Sequence, residues 1–166
     1  WSLTDKGRRL RTIYSELDLL VSEAVGEGLF DDLSVPDFVA LTSLFVFEPR
    51  GDADSGDWPP GPVGERVRAV LALWKQLVGD ERRAKLAETR QPEWGFAAIA
   101  HGWARGLSLE ELFDDDQLAA GDFVRTIRQL LDLIRQLRDT FPELAAVAGD
   151  AVGTIDHGVV SAGGIA

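Results

Sequence analysis

The side chains with chemical potential in this chain are few: His101 and His157, the acidic runs Asp31-Asp32 and Asp114-Asp115-Asp116, and arginines spread along the sequence. Adjacent carboxylates can hold a cation or share acid/base work. Here each run follows an aromatic residue, Phe30 or Phe113, that closes an apolar helical segment, and this placement reads as a solvated loop between packed elements. Neither run has the spacing of a calcium-binding loop. Two histidines are too few for most metal sites. His157 directly follows Asp156, and neighbours on a helix point about 100° apart, so the two do not form a shared ligand set. Both histidines read as packed or surface residues. Cysteine is absent, which excludes a disulfide framework, a thiolate zinc site and a cysteine nucleophile. The sequence also lacks a GxxxxGKS/T phosphate loop, a DExH or DEAD box, and the GxGxxG, GxSxG and HExxH motifs. The expectation is a chain with no catalytic residue, no metal and no cofactor of its own.

The elements that would position any site must come from 166 residues, enough for a real core in a single domain spanning 1–166. The apolar runs fall short of the ~18 residues needed to span a bilayer. No export signal opens the chain, so the cytoplasm is the default compartment and no membrane partner is expected. Methionine is absent and the first residue is Trp1, which suggests a piece of a longer protein. Lysine occurs only at positions 6, 75 and 85; the other basic residues are arginine, a composition in keeping with a GC-rich bacterial genome.

Apolar residues recur at helical spacing through most of the sequence, and no segment alternates with period two for more than a few residues. Leu10, Ile13, Tyr14, Leu17, Leu20 and Val21 define a helix face over about 4–28, preceded by the basic cluster Lys6, Arg8, Arg9 and Arg11. That cluster reads either as a solvated first turn or as a phosphate contact. Ser34 caps a second, mostly buried helix through 38–47, with Pro36 in its first turn. Residues 49–62 hold four of the seven prolines and read as a long loop; the Arg-Gly-Asp triplet inside it is treated as chance. A long third helix follows over about 63–89, with a candidate break near Gly79. A short helix around Trp94 to Trp103 is closed by Gly106, and Ser108 with Glu111 forms a capping box. After Pro142 a final helix is expected to run to the end of the chain.

The most informative segment is 119–139. Phe123, Ile127, Leu130, Leu131, Leu133, Ile134 and Leu137 fill one side of the helical wheel, while Arg125, Arg128, Gln129, Asp132, Arg135, Gln136 and Asp139 fill the other. Such a polar face is either simply solvated or offered to a partner. The fold predicted is all-α, a bundle of about six or seven helices that includes this long amphipathic one.

The order of these elements resembles the DSHCT domain that ends the exosome-associated DExH RNA helicases and their actinobacterial HelY-type relatives. The matching stretches are Gly7-Arg-Arg-Leu-Arg-Thr-Ile-Tyr-Ser-Glu16, Asp18-Leu-Leu20, Gly28-Leu-Phe-Asp-Asp-Leu33 and Ala40-Leu-Thr-Ser-Leu-Phe-Val-Phe-Glu48. They continue through Trp103-Ala-Arg-Gly106, Gly121-Asp-Phe-Val-Arg125, Arg128-Gln-Leu130 and Asp156-His-Gly-Val-Val-Ser-Ala-Gly163, covering nearly the whole chain in the family's order. The resemblance implies an accessory domain, without ATPase motifs, that packs on the helicase's own upstream motor domains. ATP and magnesium would be held there and not in this chain. It further implies that the 119–139 segment is the family's ratchet helix, gripping single-stranded RNA, or DNA, during three-prime to five-prime unwinding. Gln129 and Asp132 stand where family members tend to present an Arg and an acidic residue to the bases. Gln129 departs from that Arg but can hydrogen-bond a base edge. Arg125 and Arg128 match basic positions that can reach phosphate or stack on a base. Arg135 completes the nucleic-acid-facing set. A different class fits the composition as well: an all-α protein-interaction module with no nucleic-acid contact. The net charge of −11 argues against strong RNA binding by this chain alone.

Overall fold

The computed structural model describes residues 17–49, 57–113 and 120–162. The basic cluster at 6–11, the first part of the 4–28 helix, residues 50–56 of the 49–62 loop, the acidic run at 114–116 and the last four residues lie outside them. The described residues form eight α-helices and one 3₁₀ turn, with no strand among them, so the fold is the all-α bundle expected. The helices are α1 (Asp18–Gly26), α2 (Val35–Ser43), α3 (Gly61–Arg83), α4 (Ala97–Ala104), α5 (Leu109–Leu112), α6 (Ala120–Thr140), α7 (Ala145–Ile155) and α8 (Val159–Ala162), with the 3₁₀ turn at Pro142–Leu144.

Helix α2 is the centre of the bundle and packs against α3, α4, α6 and α7. Its residues from Phe38 to Ser43 are all buried, as a helix enclosed on every side requires. Two hydroxyls in that run are satisfied within the helix: Thr42 Oγ1 donates to the Phe38 carbonyl at 2.7 Å and Ser43 Oγ to the Ala40 carbonyl at 2.6 Å. Ser34 caps the helix by accepting the Asp37 N–H at 3.3 Å, with Pro36 in the first turn as the sequence reads. The helix stops at Ser43, earlier than the apolar run suggests. Residues 44–46 form a turn that brings Phe45 beside Phe30, and Phe47 stacks on Phe96 with ring centroids 5.5 Å apart. Glu93 donates its N–H to the Leu44 carbonyl at 3.1 Å, and burial there pushes its carboxyl above the usual carboxylate range, opposed by nearby Arg90.

Helix α3 runs straight through Gly79, so the candidate break does not occur; it ends at Arg83 rather than near Thr89. The missing turns are replaced by a chain reversal with side-chain partners. Lys85 sits at φ 57°, Glu81 accepts the Thr89 N–H at 2.6 Å, and Trp74 Nε1 donates to the Thr89 carbonyl at 2.8 Å. The α5 capping box is present in both halves, with the Glu111 N–H on Ser108 Oγ at 3.3 Å and the Ser108 N–H on the Glu111 carboxylate at 2.7 Å. Gly106 closes α4 at φ 88°, the left-handed geometry that glycine adopts without penalty.

The expected single C-terminal helix is not continuous. After the 3₁₀ turn, α7 ends at Ile155; residues 156–158 reverse the chain, with Gly158 at φ 59°, and α8 begins at Val159. The cause is tertiary. The Trp103 indole donates Nε1–H to the Ile155 carbonyl at 2.9 Å, and His157 stacks on the same indole at 4.1 Å between centroids and 14° between planes. His157 is therefore a packed residue. His101 is placed differently, its Nε2 lying 3.1 Å from Asp37 Oδ1 and linking α4 to α2. The Asp31-Asp32 run occupies a turn after α1, with Asp32 at φ 57°.

Candidate nucleic-acid interface

The polar face found in the sequence belongs to α6, which spans 21 residues and so about 30 Å. All seven apolar residues assigned to its inner side are at most 3% exposed. Side chains of this size contribute roughly 1.5–3 kcal/mol each on full burial, enough to fix the rotation of the helix about its axis. That rotation decides what faces outward. Arg125, Gln129 and Asp132 are exposed, and Arg128 and Arg135 are half-buried. Thr126, at the edge of the inner side, is buried with its hydroxyl donated to the Asp122 carbonyl at 2.8 Å.

The five residues singled out in the sequence line two adjoining grooves beside α6. The first is lined by Gly121, Val124, Arg125, Arg128, Gln129, Asp132 and Val159. The second is lined by Arg128, Leu131, Asp132, Arg135, Asp156, Val160 and Ser161. The far wall of both is α8 with the turn before it, so the surface is a cleft between two elements and not one open helix face. Asp156, Val159, Val160 and Ser161 stand in the sequence within the matching stretch 156–163 but not among the expected site residues. Their signal was the Gly158 that follows Asp156-His157, a helix stop only once a partner for His157 is known.

The charges of the cleft are largely matched. Arg125 donates to Asp122 Oδ1 at 2.5 Å, one turn earlier on α6. Arg135 lies between two carboxylates, with Nη1 3.7 Å from Asp132 Oδ1 and Nη2 3.6 Å from Asp156 Oδ2. Asp156 in turn accepts the Ser161 hydroxyl at 3.0 Å, so one carboxylate ties α6, the turn and α8 together. Arg138 pairs with its neighbour Asp139 at 3.0 Å. The Arg135 and Arg138 pairs are solvent-exposed and each is worth at most about 1 kcal/mol, so an incoming ligand can exchange them at low cost, whereas the Asp122 carboxylate that holds Arg125 is mostly buried. Arg128 differs: it makes no ion pair with a described residue, and its Nη2 is buried without a hydrogen-bond acceptor. Among the described residues no cluster of three or more His, Asp or Glu is arranged to hold a metal ion, and no helix is long and apolar enough to cross a membrane.

Residues 1–162 match the DSHCT (NUC185) domain family. The chain belongs to this family. It is similar to the probable helicase HelY of Mycobacterium leprae, 38% identical over 177 residues that cover 96% of this chain and 19% of that protein. It is also similar to the ATP-dependent RNA helicase mtr4 of Schizosaccharomyces pombe, 26% identical over 81% of this chain and 12% of the relative. The superkiller complex protein 2 of Homo sapiens is 27% identical over 78% of this chain and 11% of its own length. The DSHCT chain thus spans about a fifth or less of the relatives it matches.

Proposed function

We propose that this DSHCT domain is the accessory helical domain of an ATP-dependent RNA helicase, packed on that helicase's own motor domains, and that the α6 cleft grips single-stranded RNA during three-prime to five-prime unwinding. The observation that carries the reading is the shared cleft. Arg125, Arg128, Gln129, Asp132 and Arg135 converge on two adjoining grooves, in a chain whose relatives are named as helicases. In this reading hydrolysis of ATP and the magnesium ion belong to the motor domains. The domain's own chemistry is passive. Nucleotide-driven closure advances the motor on the strand, and side chains fixed on α6 hold the strand between strokes.

The near-balance of charge in the cleft sets the kind of contact. A surface whose arginines are mostly paired gains little from counterion release, and the chain as a whole carries −11. Grip then comes from base-edge hydrogen bonds by Gln129 and Asp132, with local arginine contacts, and the 166-residue chain alone binds RNA weakly.

The test is equilibrium binding of single-stranded RNA by the full-length helicase held closed with a non-hydrolysable ATP analogue. Gln129→Ala/Asp132→Ala is expected to weaken binding about tenfold, two hydrogen bonds' worth, without flattening the salt slope, because no cation is lost. Arg125→Ala is expected to flatten the slope of log affinity against log salt by well under the ~0.7 of one fully neutralised phosphate, because Asp122 already matches this arginine. Unchanged affinity in both variants rejects the cleft as a strand grip.

A further inference from the structure

The tip that follows α3 holds an apolar side chain out in solvent on a fixed backbone. Leu86 is 64% exposed, more than Trp58 or Val159, the other large apolar side chains left open among the described residues. The chain around it is locked. The Leu86 N–H donates to the Glu81 carbonyl at 2.8 Å and the Lys85 N–H to the Arg82 carbonyl at 3.2 Å, the paired bonds of a Schellman turn with Lys85 in the left-handed position. Arg82 spans the reversal to Glu88 with two bonds, 2.7 and 3.1 Å, and Arg83 pairs with Asp80. Such a turn frequently rests its last residue on an apolar side chain of the final helical turn. Here those positions are Glu81 and Asp80, both engaged elsewhere, so Leu86 stays uncovered by its own helix. Beside it Lys85 makes no ion pair with a described residue.

The other end of α3 carries a matching recess. Ala40, Pro59, Val63, Ala97 and His101 line a cavity of about 120 Å³ whose mouth lies at exposed Pro60 and Ala98. That is room for one aliphatic side chain and too little for a nucleotide or coenzyme. The walls are apolar except for His101, whose Nε2 lies 3.1 Å from Asp37 Oδ1, so a carboxylate stands at the polar edge. Val63 is in the first turn of α3 and the tip follows its last residue, Arg83; the 23-residue helix between them is about 35 Å long, so the tip does not reach the recess of its own chain.

We propose that this chain binds a second copy of itself: Leu86 of one copy enters the recess of the next, and Lys85 faces Asp37. Each side offers an open apolar group beside a charge of opposite sign, and no loop has to be ordered to bring them together. A nucleic acid fits the tip poorly, because Arg82 and Arg83 are already matched by carboxylates and one free cation gives little counterion release. With tip and recess at opposite ends of α3 the contact is heterologous. Each added copy presents a further tip or recess, and copies join in a row unless their rotation closes a ring. One side chain in one recess is less than a standard interface, so the association is weak and set by concentration.

Sedimentation velocity of the full-length helicase, loaded from about 1 to about 200 µM, reads the contact. Wild type is expected to rise in average mass with concentration. Leu86→Asp removes the apolar tip and Ala98→Arg lays a cation across the mouth of the recess, both at exposed positions; each is expected to raise the dissociation constant about tenfold or more. Lys85→Gln is expected to raise it about threefold and to remove most of its salt dependence. The deciding sample is Leu86→Asp mixed with Ala98→Arg. The first keeps a recess and the second a tip, so the mixture is expected to form one-to-one pairs at wild-type affinity that grow no further. Should Leu86→Asp lower the melting temperature, Leu86→Ser takes its place. A wild type that stays monomeric at every concentration, growth that survives either substitution, or a mixture no more associated than its components overturns the contact.

Discussion

Trp103→Ala is expected to destabilise the domain by about 3–5 kcal/mol, the range for removing a buried Trp from a packed core. The indole is 4% exposed and serves several elements at once. It meets Phe123 of α6 edge-on at 5.0 Å, stacks flat on His157 and donates Nε1–H to the Ile155 carbonyl that ends α7. Gly158 lies against its rim, where an added Cβ would meet Cη2 at 3.5 Å. Removing the ring therefore leaves a cavity and also frees the turn that carries Asp156 to Arg135. For a domain of this size the loss corresponds to a fall in melting temperature of about 6 °C or more. Trp103→Phe separates the parts. It keeps most of the packing, and the Ile155 carbonyl retains the His157 N–H at 3.1 Å, so its cost should be well below that of Trp103→Ala. Thermal melts followed by circular dichroism decide it: a Trp103→Ala protein that melts like wild type contradicts this account of the C-terminal turn.

Gly64→Ala tests a sign. Gly64 is buried in the first turns of α3, where intrinsic propensity alone favours Ala by about 1 kcal/mol. The packing opposes this, because a Cβ built there would lie 2.3 Å from the Pro59 carbonyl oxygen and 2.9 Å from Trp58 Nε1. A backbone carbonyl does not swing aside as a side-chain tip does, so the 58–60 segment must move. Trp58 in turn meets Trp94 edge-on at 5.0 Å and lies under the Arg68 guanidinium at 5.5 Å. Overpacking of this kind costs about 1–3 kcal/mol, occasionally more, and the net expectation is destabilisation by about 1–2 kcal/mol after the propensity gain. Urea titration of both proteins supplies the measurement. A Gly64→Ala chain more stable than wild type would show that the approach of Pro59 does not constrain the helix.

What the sequence disclosed depended on how local the cause was. Helix α6 was legible because its seven inner residues repeat at 3.6 while nearly every charge, Arg138 excepted, falls on the other side, a pattern that only one rotation of the helix satisfies. The caps at Ser34 and Ser108 were legible because each is completed within four residues. The break at 156–158 was not. Gly149 and Gly153 stay helical in α7, and nothing local separates them from Gly158; the indole of Trp103, distant in sequence, selects the stop. The early end of α3 has the same character, since Thr89 is captured by Glu81 and Trp74 rather than by the next helical turn. In the cleft, the α6 residues were readable from periodicity, but Asp156, Val160 and Ser161 enter through the fold of the turn. The matched charges were half visible: Arg125 with Asp122 is an i, i+3 pair, whereas Arg135 with Asp156 is a tertiary one.

The role proposed for the α6 cleft is to couple nucleotide hydrolysis to movement along the strand. Its most direct test is RNA-stimulated ATPase and duplex unwinding by the full-length helicase, comparing wild type with Gln129→Ala/Asp132→Ala and Arg125→Ala/Arg128→Ala, each checked by melting temperature. The account predicts that unwinding per ATP hydrolysed falls about tenfold while the ATPase rate at saturating RNA and the melting temperature hold, because a lost grip of this size lets the strand slip without touching the motor. Unwinding and ATPase both at wild-type levels would contradict it and leave the cleft as a solvated surface.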